Sequence, residues 1–446
     1  MKRFAKAYLL PLLATVFVVG LFWYWHATAS RDVPEASVRA PVVPGAEFVN
    51  ISTSVDYYRE QILRHPDVVK NYIELAQAMM QRARATADET RYIPEAHDLL
   101  DEALRRDPDN YHGLVLKARL LNVLHRFEDA KVLAEDLIAR HEGHAYNYGT
   151  LVDALVELGD YERAIEVCDQ MIGLRPGVAS YARGSYLREL HGDTDGAIEA
   201  MRMAAEAGVA GSEGRAWALY QLGNLYLNEN KPDTAAYLFK GILEERPDYT
   251  AALSGLAHVQ MVEGNYDEAI RLLKEAYAEA DNIGFLELLA EAYQATSDTE
   301  RLAATLTKIR RSYRTAEKMG ENVDMEVADF LADQEVNLGE ALDRARKAYE
   351  RRPDHLHALE TYAWTLSKNG RAAEAVPYIE RAMRLNTGDA MVHYRAGLIY
   401  HDAGRPADAA AQFERALAAN LHIESRTAAA EARAMLGNLA EPTVEP

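Results

Sequence analysis

The sequence is nearly without cysteine. Cys168 stands alone among 446 residues, so an intramolecular disulfide and a cysteine-ligated zinc site are both excluded. Its place on the buried side of a helix reads as a packed core thiol. Glycine and proline are not in excess, at 26 and 15 residues, which argues against wholesale disorder. Positive charge is scarce: 49 Lys and Arg face 69 Asp and Glu, for a net charge of -20. Lys2, Arg3 and Lys6 belong to the first few residues, so the rest is more acidic still. Such a surface repels phosphate backbones, disfavours nucleic acid and tight contact with anionic lipid, and leaves basic protein partners open.

Catalytic signatures are also missing. There is no glycine-rich phosphate loop and no Gly-x-Ser-x-Gly elbow. The nearest approach to a metal motif is His141-Glu142-Gly143-His144. Its imidazoles are three residues apart in a loop between helices, not four apart on one helical face. His355-Leu356-His357 is a second close pair without that spacing. The expectation is a protein with no catalytic residues, no metal and no cofactor, and hence not an enzyme.

Long apolar stretches are confined to one place. Leu9 to Trp25 carries no charge. Lys2, Arg3 and Lys6 precede it, which keeps the N-terminus in the cytoplasm and exports the rest. About 17 residues is at the short end for crossing hydrocarbon, and Phe22 to Trp25 supply an aromatic belt for the outer interface. Residues 1–26 therefore read as a cytoplasmic stub and a transmembrane signal-anchor helix. In the alternative reading, Ala27-Thr28-Ala29 is a cleavage site and the chain is secreted after cleavage at Ala29. Both place the body outside the cytoplasm, in a bacterial periplasm. Residues 27–54, with Pro34, Pro41 and Pro44, read as an extended tether.

What fills the rest of the chain is a ladder of alanines. Ala96, Ala130, Ala164, Ala197, Ala235, Ala269, Ala341, Ala375 and Ala409 recur at about 34 residues, with Leu302 on the missing rung. Around each rung lie two amphipathic helices and a tight turn. Pro108, Pro176, Pro247 and Pro353 follow their alanines at one fixed distance and end the second helix. Small residues also recur on the first helices, at Ala76, Ala118, Gly223, Ala257, Ala290, Ala363 and Gly397. Two antiparallel helices can approach closely only where such side chains meet.

On these residues the chain resembles the tetratricopeptide repeat (TPR) family. Its pattern is matched best by Leu219, Leu222, Gly223, Tyr226, Ala235, Phe239, Ile242 and Pro247. The resemblance implies an all-α fold: a right-handed superhelical solenoid of about ten helix-turn-helix hairpins, preceded by one transmembrane helix. The expected layout is a TPR array over 55–312, a joint over 313–324, and a second stretch of array over 325–425. A capping helix over 426–440 and a disordered tail over 441–446 follow. Arg82 to Arg91 reads as an insertion that protrudes between the two helices of the first unit.

In such a solenoid the first helices line the concave face. Alignment of the units puts Tyr146, Asp153, Trp217, Tyr220, Asn224, Asn228, His258, Glu291, Glu360, Trp364, Tyr394 and His401 there, as candidate protein-binding residues. Aromatic rings give contact area, and amides pair with an extended backbone. The family's clamp for a terminal carboxylate needs a lysine where this chain has Tyr220, so that ligand is not expected. The resulting expectation is a membrane-tethered scaffold or adaptor that binds partner proteins or peptides through its concave groove, in assembly of an envelope or membrane complex. The alternative is a permanent structural subunit of a larger membrane complex.

Overall fold

The computed structural model describes residues 46–86 and 88–440. These form 23 helices with no strand among the described residues. A lone helix, α1 (Ala46–Arg64), is followed by ten antiparallel hairpins. They are α2/α3 (Val69–Thr86, Glu89–Arg106), α4/α5 (Tyr111–Val123, Phe127–Arg140), α6/α7 (Ala145–Leu158, Tyr161–Leu174) and α8/α9 (Val178–Leu190, Thr194–Ala207). Next come α10/α11 (Glu213–Asn228, Pro232–Glu245), α12/α13 (Thr250–Glu263, Tyr266–Glu279) and α14/α15 (Ile283–Ala295, Thr299–Lys318). The last three are α16/α17 (Asp324–Asp333, Leu338–Arg351), α18/α19 (Leu356–Lys368, Ala372–Ala382) and α20/α21 (Ala390–Asp402, Pro406–Ala418). A single turn, α22 (Leu421–Glu424), and a final helix, α23 (Arg426–Ala440), close the array.

Every ladder alanine is fully buried, at 0 % exposure from Ala96 to Ala409. Leu302 is only partly buried, because a leucine cannot enter the gap that a methyl fills. The fit is tightest at Gly223 and Gly397. A Cβ at either would overlap the ring of Phe239 or of Phe413, both at 0 % exposure. The prolines act as expected on their neighbours. Asp107, Arg175, Arg246 and Arg352 precede them, end α3, α7, α11 and α17, and have φ between -133° and -151°. Proline excludes the helical basin for the residue before it.

Two expectations change, and part of the joint over 313–324 is the end of a long helix. The stretch Arg82 to Arg91 is not a protruding loop: α2 runs to Thr86 and α3 starts at Glu89, so the extra residues lengthen both helices to 18 residues. Ala83 and Ile93 are buried on either side of the turn, so helix extension gains core that a loop would not. Helix α1 begins at Ala46, inside the stretch read as extended tether. Pro44 and Gly45 are the last breakers there, and Val55 then buries against the first hairpin. The basic stretch after Ile309 continues α15 to Lys318 as a 20-residue helix.

No helix among the described residues is long and apolar enough to cross a membrane. The anchor expected over 1–26 and the tail over 441–446 lie outside the described residues.

One feature of the array is absent from the repeat pattern. The turn inside one hairpin meets the loop that enters the hairpin six units later. His125, in the α4/α5 turn, bonds through Nδ1 to the Asn322 carbonyl, 197 positions on. Arg352 Nη1 donates to Glu157 at 2.7 Å across 195 positions. Gly192 packs its backbone against Asn386. Asn420 Nδ2 donates to the Asn228 carbonyl across 192 positions. The chain thus winds round and stacks on itself, tooth by tooth.

Candidate functional site

The first helices of hairpins one to five turn their inner faces toward a common groove. Two cavities of about 830 Å³ and 550 Å³ occupy it. They share Arg84, Tyr146, Asp153, Ala179 and Arg183 as walls, so they form one continuous trough. The larger lies against α6, α8 and α10; the smaller against α2, α4, α6 and α8.

Five expected residues converge on the larger cavity: Tyr146, Asp153, Trp217, Asn224 and Asn228. Tyr146 is 52 % exposed, and the guanidinium of Arg175 covers its ring at 4.9 Å. Trp217 and Asn224 are partly buried, and Asn228 is exposed. A half-open indole beside amides gives apolar contact area and hydrogen-bonding capacity in one place. Tyr220 departs from this set. It lies partly buried with its ring 5.7 Å from Phe239, packed between helices.

The electrostatics of the trough centre on arginine. Arg183 grips Asp153 with two bonds, Nε–Oδ1 at 2.7 Å and Nη2–Oδ2 at 2.6 Å. It also donates to the carbonyls of Gly149 and Ala179. Arg84 reaches from the first hairpin to the buried carboxylate of Glu213 in the fifth, at 2.6 Å. Arg119 lies partly buried nearby. Burial first, then the like charges of Arg84 and Arg183, press its pKa below the usual arginine value. None of these arginines was expected. Their positions fall on inner faces, but the charge pattern of the sequence alone does not tell a groove arginine from a solvated one.

Most of the remaining expected residues are engaged within the array. Glu360, Trp364 and Tyr394 are only 5 %, 6 % and 8 % exposed and face partners inside the array. Trp364 Nε1 donates to Asp333 at 2.7 Å, and Tyr394 Oη donates to Glu431 at 2.6 Å. Glu360 accepts from Arg395 at 3.0 Å, within a cluster in which the same guanidinium also binds Asp329 and Asp333. These three are therefore not free surface: one buried arginine draws several carboxylates inward, and the aromatic groups pack over them. His258 is likewise engaged, with Nε2 3.0 Å from the Ile423 carbonyl beneath the closing helix. Glu291 lines a separate cavity of about 480 Å³ beside α16, and burial alone pushes its carboxyl up to about 7. His401 is exposed and faces only Asp402.

The histidine pairs pack against neighbours within the array. His141 and His144 stack edge-on against the Tyr111 ring, with centroids 4.3 Å and 5.4 Å away. His355 is buried beside Glu157, and burial holds it well below the usual histidine range. Among the described residues no group of three or more His, Cys, Asp or Glu is placed to hold a metal ion. Burial lifts the Cys168 thiol to about 11, so it is no nucleophile near neutrality.

Models of the tetratricopeptide repeat match residues 226–291, and also 123–179, 150–212 and 361–422. The chain carries tetratricopeptide repeats. It is a TPR scaffold of the kind that engages other proteins. It is similar to cellulose synthase operon protein C of Pseudomonas fluorescens (strain SBW25), with 26 % identity over 186 residues. That match covers 39 % of this chain and only 14 % of the relative's length. Two solved structures also align with this chain. The crystal structure of the APC/C hetero-tetramer Cut9-Hcn1 aligns over 89 % of this chain and 94 % of its own, at 12 % identity and a TM-score of 0.41. The crystal structure of MamA aligns over 36 % and 93 %, at 18 % identity and a TM-score of 0.29.

Proposed function

We propose that this TPR protein is a non-catalytic adaptor held at a membrane by its N-terminal segment, whose array takes an extended segment of a partner protein into the inner trough of hairpins one to five. The observation that carries this is the continuity of the two cavities through Tyr146, Asp153 and Arg183. A trough lined by first helices from five successive hairpins suits an extended chain better than a compact ligand. The half-open ring of Trp217 and the amides of Asn224 and Asn228 suit a backbone that needs both contact area and hydrogen bonds.

The membrane anchor and the exported body rest on the charge and apolar pattern of the first 26 residues. A role in building an envelope complex is in keeping with a relative whose name ties it to a cellulose synthase operon.

A photo-crosslinking residue at Trp217, in the full-length protein in native membranes, tests the trough. The expected outcome is a defined adduct that Asn224→Ala weakens. Adducts arising instead from Val132 and Tyr237 on the second helices, with stoichiometric co-purification of other subunits, would replace this reading with that of a permanent subunit. Protease added to spheroplasts should digest the body; digestion only after lysis reverses the topology.

A further inference from the structure

We infer that Arg119 and Asn122 form an anchoring point for an acidic side chain of the bound segment; this rests on the trough being the binding surface. Arg119 lies on α4, partly buried over the smaller cavity. The two guanidiniums nearest to it in charge are both occupied: Arg183 by Asp153, and Arg84 by Glu213. Arg119 has no hydrogen bond or ion pair to any described residue. Asp153 and Tyr146 draw on its charge from a distance, but both Asp153 oxygens are already held by Arg183.

An arginine cannot shed its proton to escape such a place. A guanidinium taken from water without a counter-charge costs free energy that the fold alone does not recover. Uncompensated charge in a cleft marks a site awaiting its complement.

A second group points the same way. Asn122 follows Arg119 by three residues, on the same side of α4, and lines the same cavity. Its Nδ2 donates to the Thr150 carbonyl at 2.9 Å, while its Oδ1 is buried and accepts nothing. The cavity wall thus holds an unmatched cationic donor, with a buried unsatisfied amide oxygen one helical turn away. A peptide residue with a carboxylate side chain answers the exposed cation.

The charge of the ligand is also bounded. Asp153 and Glu89 line the same cavity, and burial already raises the Glu89 carboxyl above its ordinary range. A dianionic phosphate would meet two acids there; a single carboxylate neutralises Arg119 at smaller repulsion. Asp or Glu within an extended segment is therefore the occupant.

The test uses the full chain in mild detergent and ligand-observed saturation-transfer NMR. The probes are acetyl-Gly-Glu-Gly-amide, its Gln counterpart, and acetyl-Gly-Gly-Gly with a free carboxylate. The Glu peptide should bind, the Gln peptide about tenfold more weakly, as loss of a charge-assisted hydrogen bond requires. Arg119→Met should abolish the Glu peptide's signal while its Tm stays level or rises, because an unmatched charge is removed. Equal binding or no binding of the Glu and Gln peptides overturns the proposal. So does a fall in Tm for Arg119→Met, which would make Arg119 a structural residue. Stronger binding of the free-carboxylate peptide would move the anchor to a chain terminus and overturn the side-chain assignment. Crosslinking at Trp217 reads the trough independently: adducts there with an unaffected Arg119→Met variant sink the anchor alone.

Discussion

The phenol oxygen of Tyr161 accepts a hydrogen bond from the backbone amide of Leu356 at 3.0 Å, across 195 positions of sequence. Both groups are buried, and burial pushes the phenol up to about 12. Beside them Gly159, at φ +83°, lies so close to Asp354 that a Cβ would overlap its carbonyl carbon. Removing the oxygen in Tyr161→Phe strands the Leu356 amide, at a cost of about 1–3 kcal/mol. Gly159→Ala adds a clash to a left-handed backbone. Both variants should keep their helices by circular dichroism while the radius of gyration by small-angle X-ray scattering increases, with Gly159→Ala the larger. An unchanged radius in both would mean that the stacked turns are held elsewhere.

Within a single unit the limiting contact is between Gly223 and Phe239. Gly255 presses the same ring from the next hairpin, its would-be Cβ 2.7 Å from Cζ. Gly223→Ala should lower stability by about 1–3 kcal/mol through overpacking. Phe239→Leu on that background should recover part of the loss, which a double-mutant cycle by thermal denaturation reads as a positive coupling.

How much of this was legible beforehand follows from which contacts are local. Ala235, Gly223, Phe239 and Pro247 sit within one unit of about 34 residues, so their spacing declares the hairpin directly. The inner position of Trp217 and Asn224 follows from the same spacing, because helix phase fixes the face. What escaped is whatever joins distant units. Trp364 and Tyr394 occupy the same face by phase, yet Arg395 from the next hairpin covers the Trp364 ring, and Glu431 of the closing helix takes the Tyr394 hydroxyl. Nothing in the spacing around Trp364 reports Arg395. The bond from Tyr161 to Leu356 depends on how the whole array winds, which is the sum of many small rotations between neighbours.

That buried arginine gives a third prediction. Arg395 neutralises Asp329, Asp333 and Glu360 at 2.8–3.1 Å. Arg395→Met leaves these carboxylates facing one another, with the neutral donors Trp364 and Thr361 on Asp333 and Asp329 and with His357 against Glu360. The loss should be about 3–5 kcal/mol. Because protonation of the stranded acids relieves repulsion, the variant should regain stability toward acidic pH, which parallel melts at pH 5 and pH 8 will show.

The pH dependence of the parent protein has a definite sign. Glu291 titrates at about 7 in the fold because burial disfavours its charge, against an ordinary value of 4.5. A raised carboxyl stabilises the fold fully below its unfolded pKa, and that contribution is lost as pH rises through its folded one. His357, raised to about 9 chiefly by Glu360 once burial has been overcome, acts in the same direction through a higher window. The Tm should therefore decline between about pH 4.5 and pH 9, through Glu291 first and His357 after it. Glu291→Gln should match the parent near pH 4 and exceed it near pH 8, by about 1–3 kcal/mol. A Glu291→Gln curve parallel to the parent's would show that Glu291 is not the titrating group.

The six-unit register between the turns and the loops they meet has an evolutionary consequence. Most solenoids gain or lose a whole repeat at little cost, since each unit touches only its neighbours. Here deletion of one hairpin between Asn228 and Asn322 would shift all the meshed pairs at once, setting Tyr161 and Gly159 opposite the wrong rung. Duplication and loss, the ordinary route by which repeat arrays diversify, are thus barred from the middle of this chain and left to its ends.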